Sequence, residues 1–457
     1  MLEQTKKGEI TAFLSLIFIL LLSFIGSILE SASIQVSKNY VRTDTTRAME
    51  SVFAEYQKEL LEAYDLFGLE ATYETGNYRE QNVLRRMEYY GAPTGDKQIN
   101  KIQVLTDQGG KPCREQVYAY MSHKMGVNGI AEMLSTTTLW EEQESKSKEY
   151  QQEDIQTNKN LDTILIEKDT TLPKENNPLE TISNLKKSNL LSVVMKKSDT
   201  ISNKTISSTD LPSVRNKNQG YGTFTSTMEG GTSSKLYLGA YILEHFKHVV
   251  TPHEDGALSY EVEYIIGGKT CDKENLETVV KKLIAMRYVP NYAYLMTDTK
   301  KKAEAGVMAA TLCSALALPA ITEVAKQAIL LAWAYGESIM DIRSLLAGHK
   351  IPLLKTTESW QLQLEELLQL GTQEDPKDGN DIEGGYTYAE YLQVLLFLEG
   401  EQKLTMRMLD VIERNIQVEY GASFFKVDQC ISKVEVDSTC RLRRNIQYKF
   451  KTVYGYQ

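Results

Sequence analysis

The stretch that decides the fold is residues 6–31, KKGEITAFLSLIFILLLSFIGSILES. No charged residue occurs from Ile10 to Leu29. Because an α-helix rises about 1.5 Å per residue, such a run is long enough to cross the roughly 30 Å hydrocarbon core of a bilayer. The sequence therefore predicts a cytoplasmic leader at 1–9 and a transmembrane helix at 10–29, which makes the lipid bilayer the first partner of the chain.

The charges that flank this run predict its orientation. Lys6 and Lys7 come just before it, and Glu30 is the first acidic residue after it. Positively charged residues concentrate on the cytoplasmic side of a membrane helix. We therefore expect a single-pass protein of the cell membrane, with the N-terminus in the cytoplasm and the C-terminal domain outside.

A cleaved secretory signal is the competing interpretation, because residues 31–33, Ser-Ala-Ser, are of the size that a signal peptidase accepts. The apolar run is longer than the roughly 7 to 15 residues of a typical signal core. Apolar residues also continue at helical spacing from Val41 to Phe67, with no glycine or proline after Ser27. We predict that the helix continues without a break as a stalk over 30–67 and is stopped by Gly68.

Composition limits the rest of the chain. Its 457 residues are 42% hydrophobic and 25% charged, which is enough apolar material for more than one globular domain. The net charge of −10 argues against a nucleic-acid partner, because phosphate binding requires a basic surface.

Beyond the stalk, the patterns predict a helix-rich extracellular α+β domain interrupted by a disordered insertion. The first part covers 68–144, and the main part covers 232–457. Between them, residues 145–231 are low in complexity, rich in polar residues and without helical periodicity, so we expect disorder there. In the main part, an apolar region divided by Pro319 is expected to form a buried helical hairpin rather than a second membrane span.

The five cysteines do not form a disulfide framework or a CxxC pair. Cys430 and Cys440 lie in a segment that alternates polar and apolar residues and is expected to contain three strands. A disulfide between these two cysteines is expected if the segment between them is a hairpin.

One cluster has the composition of a metal site. His245, His248 and His253 occur within nine residues, EHFKHVVTPHED, and include three of the five histidines. On a helix, His245 and His248 would share a face, as two metal ligands require. A solvent-facing helix end is the more ordinary interpretation, because no second ligand motif accompanies the cluster.

Other catalytic signatures are missing from the sequence. It contains no HEXXH or GxSxG motif and no glycine-rich phosphate loop after a clear strand. The sequence therefore predicts no enzyme and no cofactor. An anchored metal-dependent enzyme or sensor built on the three histidines is the alternative.

Two groups of segments carry a resemblance to a known family. The first is GEITAFLSLIFILLLSFIGSILESASIQ with AMESVFAEYQKELLEAYDLFGLE, and the second is LALPAITEVAKQAILLAWAYGESIMDIRSLLAGHKIPLLK with YLQVLLFL. They resemble an uncharacterised membrane-protein family of Gram-positive bacteria, which is itself similar to the minor pseudopilins of tight-adherence (Tad) pilus systems. The resemblance extends over most of the chain except about 145–231.

The resemblance implies a structural or assembly component of a pilus or related secretion system. Type IV-like subunits carry a basic leader ending in glycine, which Lys6, Lys7 and Gly8 match, and Gly8 is then the position of leader processing. Classical pilins have a glutamate five residues after that glycine, where this chain has Phe13. A permanently anchored assembly factor or minor component therefore fits better than a standard filament subunit.

The implied partners are other pilus or secretion-system subunits and a second copy of this chain. An adhesin or ligand-binding module is a further hypothesis, which the sequence does not separate from the first.

Overall fold

The computed structural model describes residues 2–195, 200–226, 230–314, 319–372, 375 and 378–456, and it leaves out the side chains of 2–7, 127, 128, 319 and 320. The chain forms two compact units. Unit 1 consists of Met1–Pro112, Lys217–Ser226 and Phe424–Gln457, and unit 2 consists of Cys113–Asn216 and Thr227–Ser423. Each unit is therefore assembled from segments that are distant in sequence.

The elements confirm an α+β protein in which helices predominate. The helices are α1 (Leu2–Phe53), α2 (Lys58–Tyr64), α3 (Gln81–Tyr89), α4 (Asp107–Gly129), α5 (Ala131–Glu167), α6 (Pro178–Lys187), α7 (Leu190–Val194), α8 (Thr232–His245), α9 (Glu261–Gly267), α10 (Asp272–Thr297), α11 (Thr299–Cys313), α12 (Pro319–Leu346), α13 (Leu364–Leu367), α14 (Tyr388–Leu398) and α15 (Glu401–Glu419). The strands are β1 (Leu69–Glu70), β2 (Asp96–Val104), β3 (Cys430–Arg441) and β4 (Gln447–Gly455).

Unit 1 contains one antiparallel sheet, which has four strands within the described residues. The long strand β3 pairs with β1, β2 and β4. Its partners come from both ends of the chain, since Ile102 of β2 lies opposite Val434 and Tyr454 of β4 also lies opposite Val434. The C-terminal strands thus complete a core that the N-terminal segments begin.

The end of α1 is part of this core. Ala48, Met49, Val52 and Phe53 are buried together with apolar residues of α3 and of strands β1, β2 and β3. Helix α1 therefore has two environments: a C-terminal end packed inside unit 1 and an apolar N-terminal half with exposed side chains.

The stalk helix was predicted to reach Phe67, but α1 ends at Phe53 and a separate helix, α2, follows. The carbonyl oxygen of Phe53 accepts a hydrogen bond from the Tyr456 hydroxyl at 2.6 Å. The amide of Gln57, which would bond that carbonyl in a continuing helix, donates instead to the carbonyl of Gly68 at 2.9 Å. Tertiary contacts therefore break the helix where no proline or glycine does.

The predicted disulfide between Cys430 and Cys440 is wrong. Both cysteines are free and lie on the same strand, β3. Ten residues of extended chain span about 33 Å, whereas a disulfide requires Cα atoms roughly 4.4 to 6.8 Å apart. The hairpin turn falls after Arg441, beyond both cysteines, and the C-terminal segment forms two strands rather than three.

Disorder was predicted for 145–231, but three helices cover part of this segment. Helix α5 runs through its beginning, and α6 and α7 follow. The buried residues of α5 include Trp140, Ser147, Leu161 and Leu165, so small polar side chains share the inner face with widely spaced apolar ones. The Ser147 hydroxyl donates to the carbonyl of Ala285 at 2.9 Å. The helical period was hidden because polar residues occupy buried positions.

Helices make up the core of unit 2. The helix that begins at Pro319, α12, is buried along most of its length, and Trp333 on it is fully buried. Pro319 therefore starts a helix of the core, as predicted. Residues 315–318, between α11 and α12, lie outside the described residues.

We predict that Phe53→Ala destabilises unit 1 by about 3 to 5 kcal/mol, because a fully buried aromatic side chain is removed and a cavity remains. Hydrogen exchange of the β3 amides, followed by mass spectrometry on the detergent-solubilised chain, measures this change. Tyr40→Ala on the same helix is the matched control, since Tyr40 is 67% exposed. Equal protection of β3 in the two variants would contradict a core role for Phe53.

Candidate functional site: the exposed apolar helix and the buried polar clusters

Helix α1 exposes an apolar surface that no part of the described chain covers. Every described large apolar side chain from Ile10 to Leu29 is exposed, and Phe13 and Leu29 are more than 60% exposed. Within the described residues, α1 from Gly8 to Phe53 is the one helix long and apolar enough to cross a membrane. Contiguous apolar surface of this size marks a membrane or protein contact.

Gly8, the predicted processing position, lies inside α1 and is exposed. A Cβ atom at this residue would meet no atom within 4 Å. Packing within the chain therefore does not require a glycine at this point, although glycine costs a helix about 1 kcal/mol relative to alanine. Leader processing at Gly8 stays a prediction.

Aromatic rings and a charged pair hold the other end of α1. The Phe53 ring lies 5.0 Å from the Tyr454 ring and 5.1 Å from the Tyr456 ring, centroid to centroid. Just beyond the helix, Glu55 accepts hydrogen bonds from Arg86 Nε at 3.0 Å and from the Tyr90 hydroxyl at 2.7 Å. These contacts fix the direction in which α1 leaves unit 1.

A cavity of about 450 Å³ lies beside this junction in unit 1. Arg79, Arg85 and Arg86 line it together with polar side chains between Thr72 and Asn82. The lining has the charge to accept an anion, since guanidinium groups bind carboxylate and phosphate groups in a bidentate manner. Arg86 is already paired with Glu55, so Arg79 and Arg85 are the exposed cations of the cavity.

The three histidines of the predicted metal site have separate environments. The His245 ring lies 4.3 Å from the Tyr241 ring, and His253 Nδ1 bonds Glu261 Oε1 at 2.9 Å. Within the described residues, His245, His248 and His253 do not form a group whose ligand atoms lie within 4.8 Å of one another. Metal binding by these residues stays a prediction.

His248 belongs to a buried cluster with Glu263 and Tyr388. Burial lowers the pKa of His248 to about 4, with a smaller contribution from the positive charge of Lys247. The His248 ring lies 5.5 Å from the Tyr388 ring, and the Tyr388 hydroxyl donates to Glu263 Oε1 at 2.8 Å. The amide of Val249 donates to the same oxygen at 3.0 Å.

Glu263 is fully buried, and its second carboxylate oxygen has no hydrogen-bond partner among the described residues. Burial raises the pKa of Glu263 to about 7, although the bonds from Val249 and Tyr388 act in the opposite direction. The sequence does not reveal this group, because the alternation of Tyr260, Val262, Tyr264 and Ile266 is typical of a half-buried strand whose polar residues are exposed. The stretch forms α9 instead, and its polar positions are as buried as its apolar ones.

The largest group of buried charges in unit 2 joins α10, α12 and the chain that follows α12. Asp341 Oδ2 accepts from Arg287 Nε at 2.9 Å, and Asp341 Oδ1 accepts from Lys355 Nζ at 2.7 Å. Lys355 Nζ also lies 2.5 Å from Glu337 Oε1. Two cations thus balance two carboxylates, and all four residues are almost completely buried.

Further hydrogen bonds surround this charged cluster. Glu337 accepts from the amides of Gln361 at 2.9 Å and Leu362 at 2.7 Å, which ties the loop after α12 to the helix. Burial opposes ionisation of Asp341, but the charges of Lys355 and Arg287 outweigh it, so the pKa of Asp341 lies below its ordinary value. The cluster fixes the loop in one position. It offers no exposed reactive group.

Comparison with known proteins assigns the chain to a family. A family model described as a family of unknown function (DUF5702) matches residues 168–442, more than half of the chain. The chain belongs to the DUF5702 family. No curated protein and no solved structure matches it. The matched DUF5702 region contains the charged cluster and α9, and α1 lies outside it.

We predict that Lys355→Met destabilises unit 2 by about 3 to 5 kcal/mol, because Glu337 and Asp341 keep their buried charges and lose their shared cation. All three tryptophans of the chain, Trp140, Trp333 and Trp360, are in unit 2. Denaturant unfolding followed by tryptophan fluorescence therefore measures this unit.

The exposed Lys350 provides the control for that experiment. Lys350→Met removes the same charge and leaves the buried carboxylates paired. An unfolding midpoint for Lys355→Met equal to that of the control would mean that the cluster contributes no stability.

We also predict that Glu263 makes unit 2 lose stability as the pH rises from about 4.5 to about 7. In this range the folded chain keeps a proton on Glu263 that the unfolded chain releases, since the folded pKa is the higher one. The loss is on the order of 3 kcal/mol. Glu263→Gln removes it, so the variant gains stability relative to wild type as the pH rises.

Unfolding free energies at about pH 5 and about pH 8 test this difference. His248 contributes the opposite slope, because its lowered pKa destabilises the folded state as the pH falls, but this slope is present in both proteins. Glu254→Gln, at an exposed glutamate, is the control. Parallel pH profiles for wild type and Glu263→Gln would contradict the prediction.

Proposed function

We propose that this chain is a membrane-anchored, surface-exposed structural or assembly component of a type IV-like (tight-adherence) pilus or related secretion system. The observation that carries the proposal is one helix with two environments. Its N-terminal half exposes an apolar surface, and its C-terminal end is buried in unit 1. Such a helix connects the bilayer to a folded unit outside it and holds that unit at a fixed distance from the membrane.

The dimensions of α1 support this role. Its 52 residues extend for about 78 Å. The uncharged run from Ile10 to Leu29 accounts for about 30 Å, enough to cross the hydrocarbon core. The remaining helix lifts the core of unit 1 well above the membrane surface. With Lys6 and Lys7 in the cytoplasm, unit 2 and the part of unit 1 that follows the apolar run lie outside the cell.

Three small residues, which share one side of α1 with Ile19 and Leu22, support contact with partner helices. Ser15, Ser23 and Gly26 lie on one side of α1, because separations of three and eleven residues return to nearly the same side at about 3.6 residues per turn. A Cβ atom at Gly26 would meet nothing within 4 Å in this chain. Small residues allow helices to approach closely in a membrane, where packing rather than water exclusion drives association.

Phe13 argues for an accessory role. It takes the position of the glutamate that pairs with a neighbouring subunit in classical pilins, and its side chain is 64% exposed. Without that carboxylate, α1 lacks the charged contact that orders a standard filament core. A minor component or a permanently anchored assembly factor therefore matches this sequence better.

Gly26→Leu tests helix packing. We expect the variant to remain in the membrane, because leucine is more apolar than glycine, and to lose co-purification with pilus or secretion components by about tenfold or more, because a large side chain separates the helices. Quantitative mass spectrometry of affinity-purified complexes from mild detergent measures the loss.

Ile17→Phe is the matched control, since it adds volume on the opposite side of α1. Retained partners in the control and lost partners in Gly26→Leu would support the proposed packing face. A wild-type chain that purifies alone as a monomer, together with normal pilus assembly after deletion of the gene, would contradict the proposed function.

A further inference from the structure

We propose that the turn between β3 and β4 binds the anionic lipid headgroups at the outer surface of the membrane. The turn covers residues 442–446 and contains a short 3-10 helix at Arg443–Asn445. The proposal rests on the membrane anchoring of α1 put forward above. It adds a second membrane contact, made by a part of the chain more than four hundred residues away from the anchor.

The turn lies at the level where α1 leaves its apolar run. Arg444 Nη1 is 2.5 Å from Glu30 Oε1. Glu30 follows Leu29, the last residue of the run, by about 1.5 Å along the helix axis. A headgroup layer is roughly 5 to 7 Å thick on each side of the bilayer. The guanidinium of Arg444 is therefore within this layer when the run spans the hydrocarbon core.

Contacts along the whole hairpin hold the turn in this position. The Lys38 ammonium lies 5.5 Å from the centroid of the Tyr448 ring, and the Phe53 ring lies 5.0 Å from the Tyr454 ring. Helix α1 extends for about 35 Å from Glu30 to Phe53. The chain that contacts these two residues extends for about 33 Å from Arg444 to Tyr454. Strand β4 thus runs beside α1 from the end of the apolar run to the core of unit 1.

The charge of the hairpin is opposite to that of the chain. The chain carries a net charge of −10, but no acidic residue occurs after Asp437. The same C-terminal segment contains five basic residues: Arg441, Arg443, Arg444, Lys449 and Lys451. Basic residues near an anionic membrane surface strengthen binding by roughly fivefold each.

Some of these cations are already used within unit 1. Arg444 is paired with Glu30, and Lys451 lies 3.2 Å from Glu435. Arg441, Arg443 and Lys449 are exposed and have no charged partner among the described residues. Their guanidinium and ammonium groups are available to phosphate oxygens, which arginine binds in a bidentate manner.

Tyr448 and Phe450 lie farther from the membrane than the turn does. Their rings are stacked, with centroids 5.0 Å apart, and Tyr448 lies beside Lys38, about 14 Å along the helix axis from Leu29. The arginines of the turn therefore make the lipid contact, and their position at the end of the apolar run favours a lipid surface over a soluble anion.

The test uses the full-length chain in nanodiscs, with Asn445→Cys carrying a fluorophore and Cys271→Ser removing the one native cysteine that is not buried. Spin-labelled headgroup lipids quench the fluorophore when the turn touches the surface. We expect quenching in discs of phosphatidylcholine mixed with phosphatidylglycerol, little quenching in phosphatidylcholine alone, and weakening by salt.

Arg441→Gln combined with Arg443→Gln should lower the equilibrium constant for surface contact by roughly 30-fold. Arg47→Gln combined with Lys58→Gln is the matched control, because it removes two exposed charges of unit 1 elsewhere. Equal quenching in both lipid compositions, or no effect of the arginine changes, would overturn the inference while leaving the anchoring proposal intact.

Two further results would also overturn it. If inorganic phosphate changes the fluorescence of the chain in uncharged detergent as strongly as anionic discs do, the turn binds free phosphate and not a surface. If alkaline carbonate removes the wild-type chain from cell membranes, α1 is not an anchor, and the proposed function fails together with the inference.

Discussion

The burial of the end of α1 in the sheet of unit 1 is the constraint on which the rest of this unit depends. Phe53 sits between the rings of Tyr454 and Tyr456, and its carbonyl oxygen accepts the Tyr456 hydroxyl. One contact thus ends the helix, fixes its direction and joins the two ends of the chain. A rotation of α1 about its axis would remove Met49 and Val52 from the same core. The exposed half of the helix is therefore held in a defined orientation.

Unit 2 depends on a different kind of interaction. Its buried carboxylates accept hydrogen bonds from backbone amides of irregular segments. Glu263 accepts from the amide of Val249, and Glu337 accepts from the amide of Leu362. Each carboxylate is costly to bury alone, and these donors, 14 and 25 residues away in sequence, compensate that cost. Such groups hold long irregular connections in one arrangement.

The sequence predicted the parts of this protein that follow from local pattern. The apolar run from Ile10 to Leu29 and the helix that starts at Pro319 are each continuous in sequence. Prediction failed where polar side chains are buried. Ser147 on α5 and Glu263 on α9 are both buried. Polar residues in a sequence pattern indicate exposed positions, so these two residues conceal the helical period of α5 and α9.

By itself, the sequence determined that the chain has one long apolar helix near its N-terminus and a helix-rich α+β body, because hydrophobic length and periodicity are local properties. Only the tertiary structure decided where α1 ends, that Cys430 and Cys440 share a strand, and that the turn after β3 meets Glu30. Each of these depends on a pairing between residues from opposite ends of the chain. Such pairings are set by the packing of side chains around a common core, and no local pattern of residues encodes them.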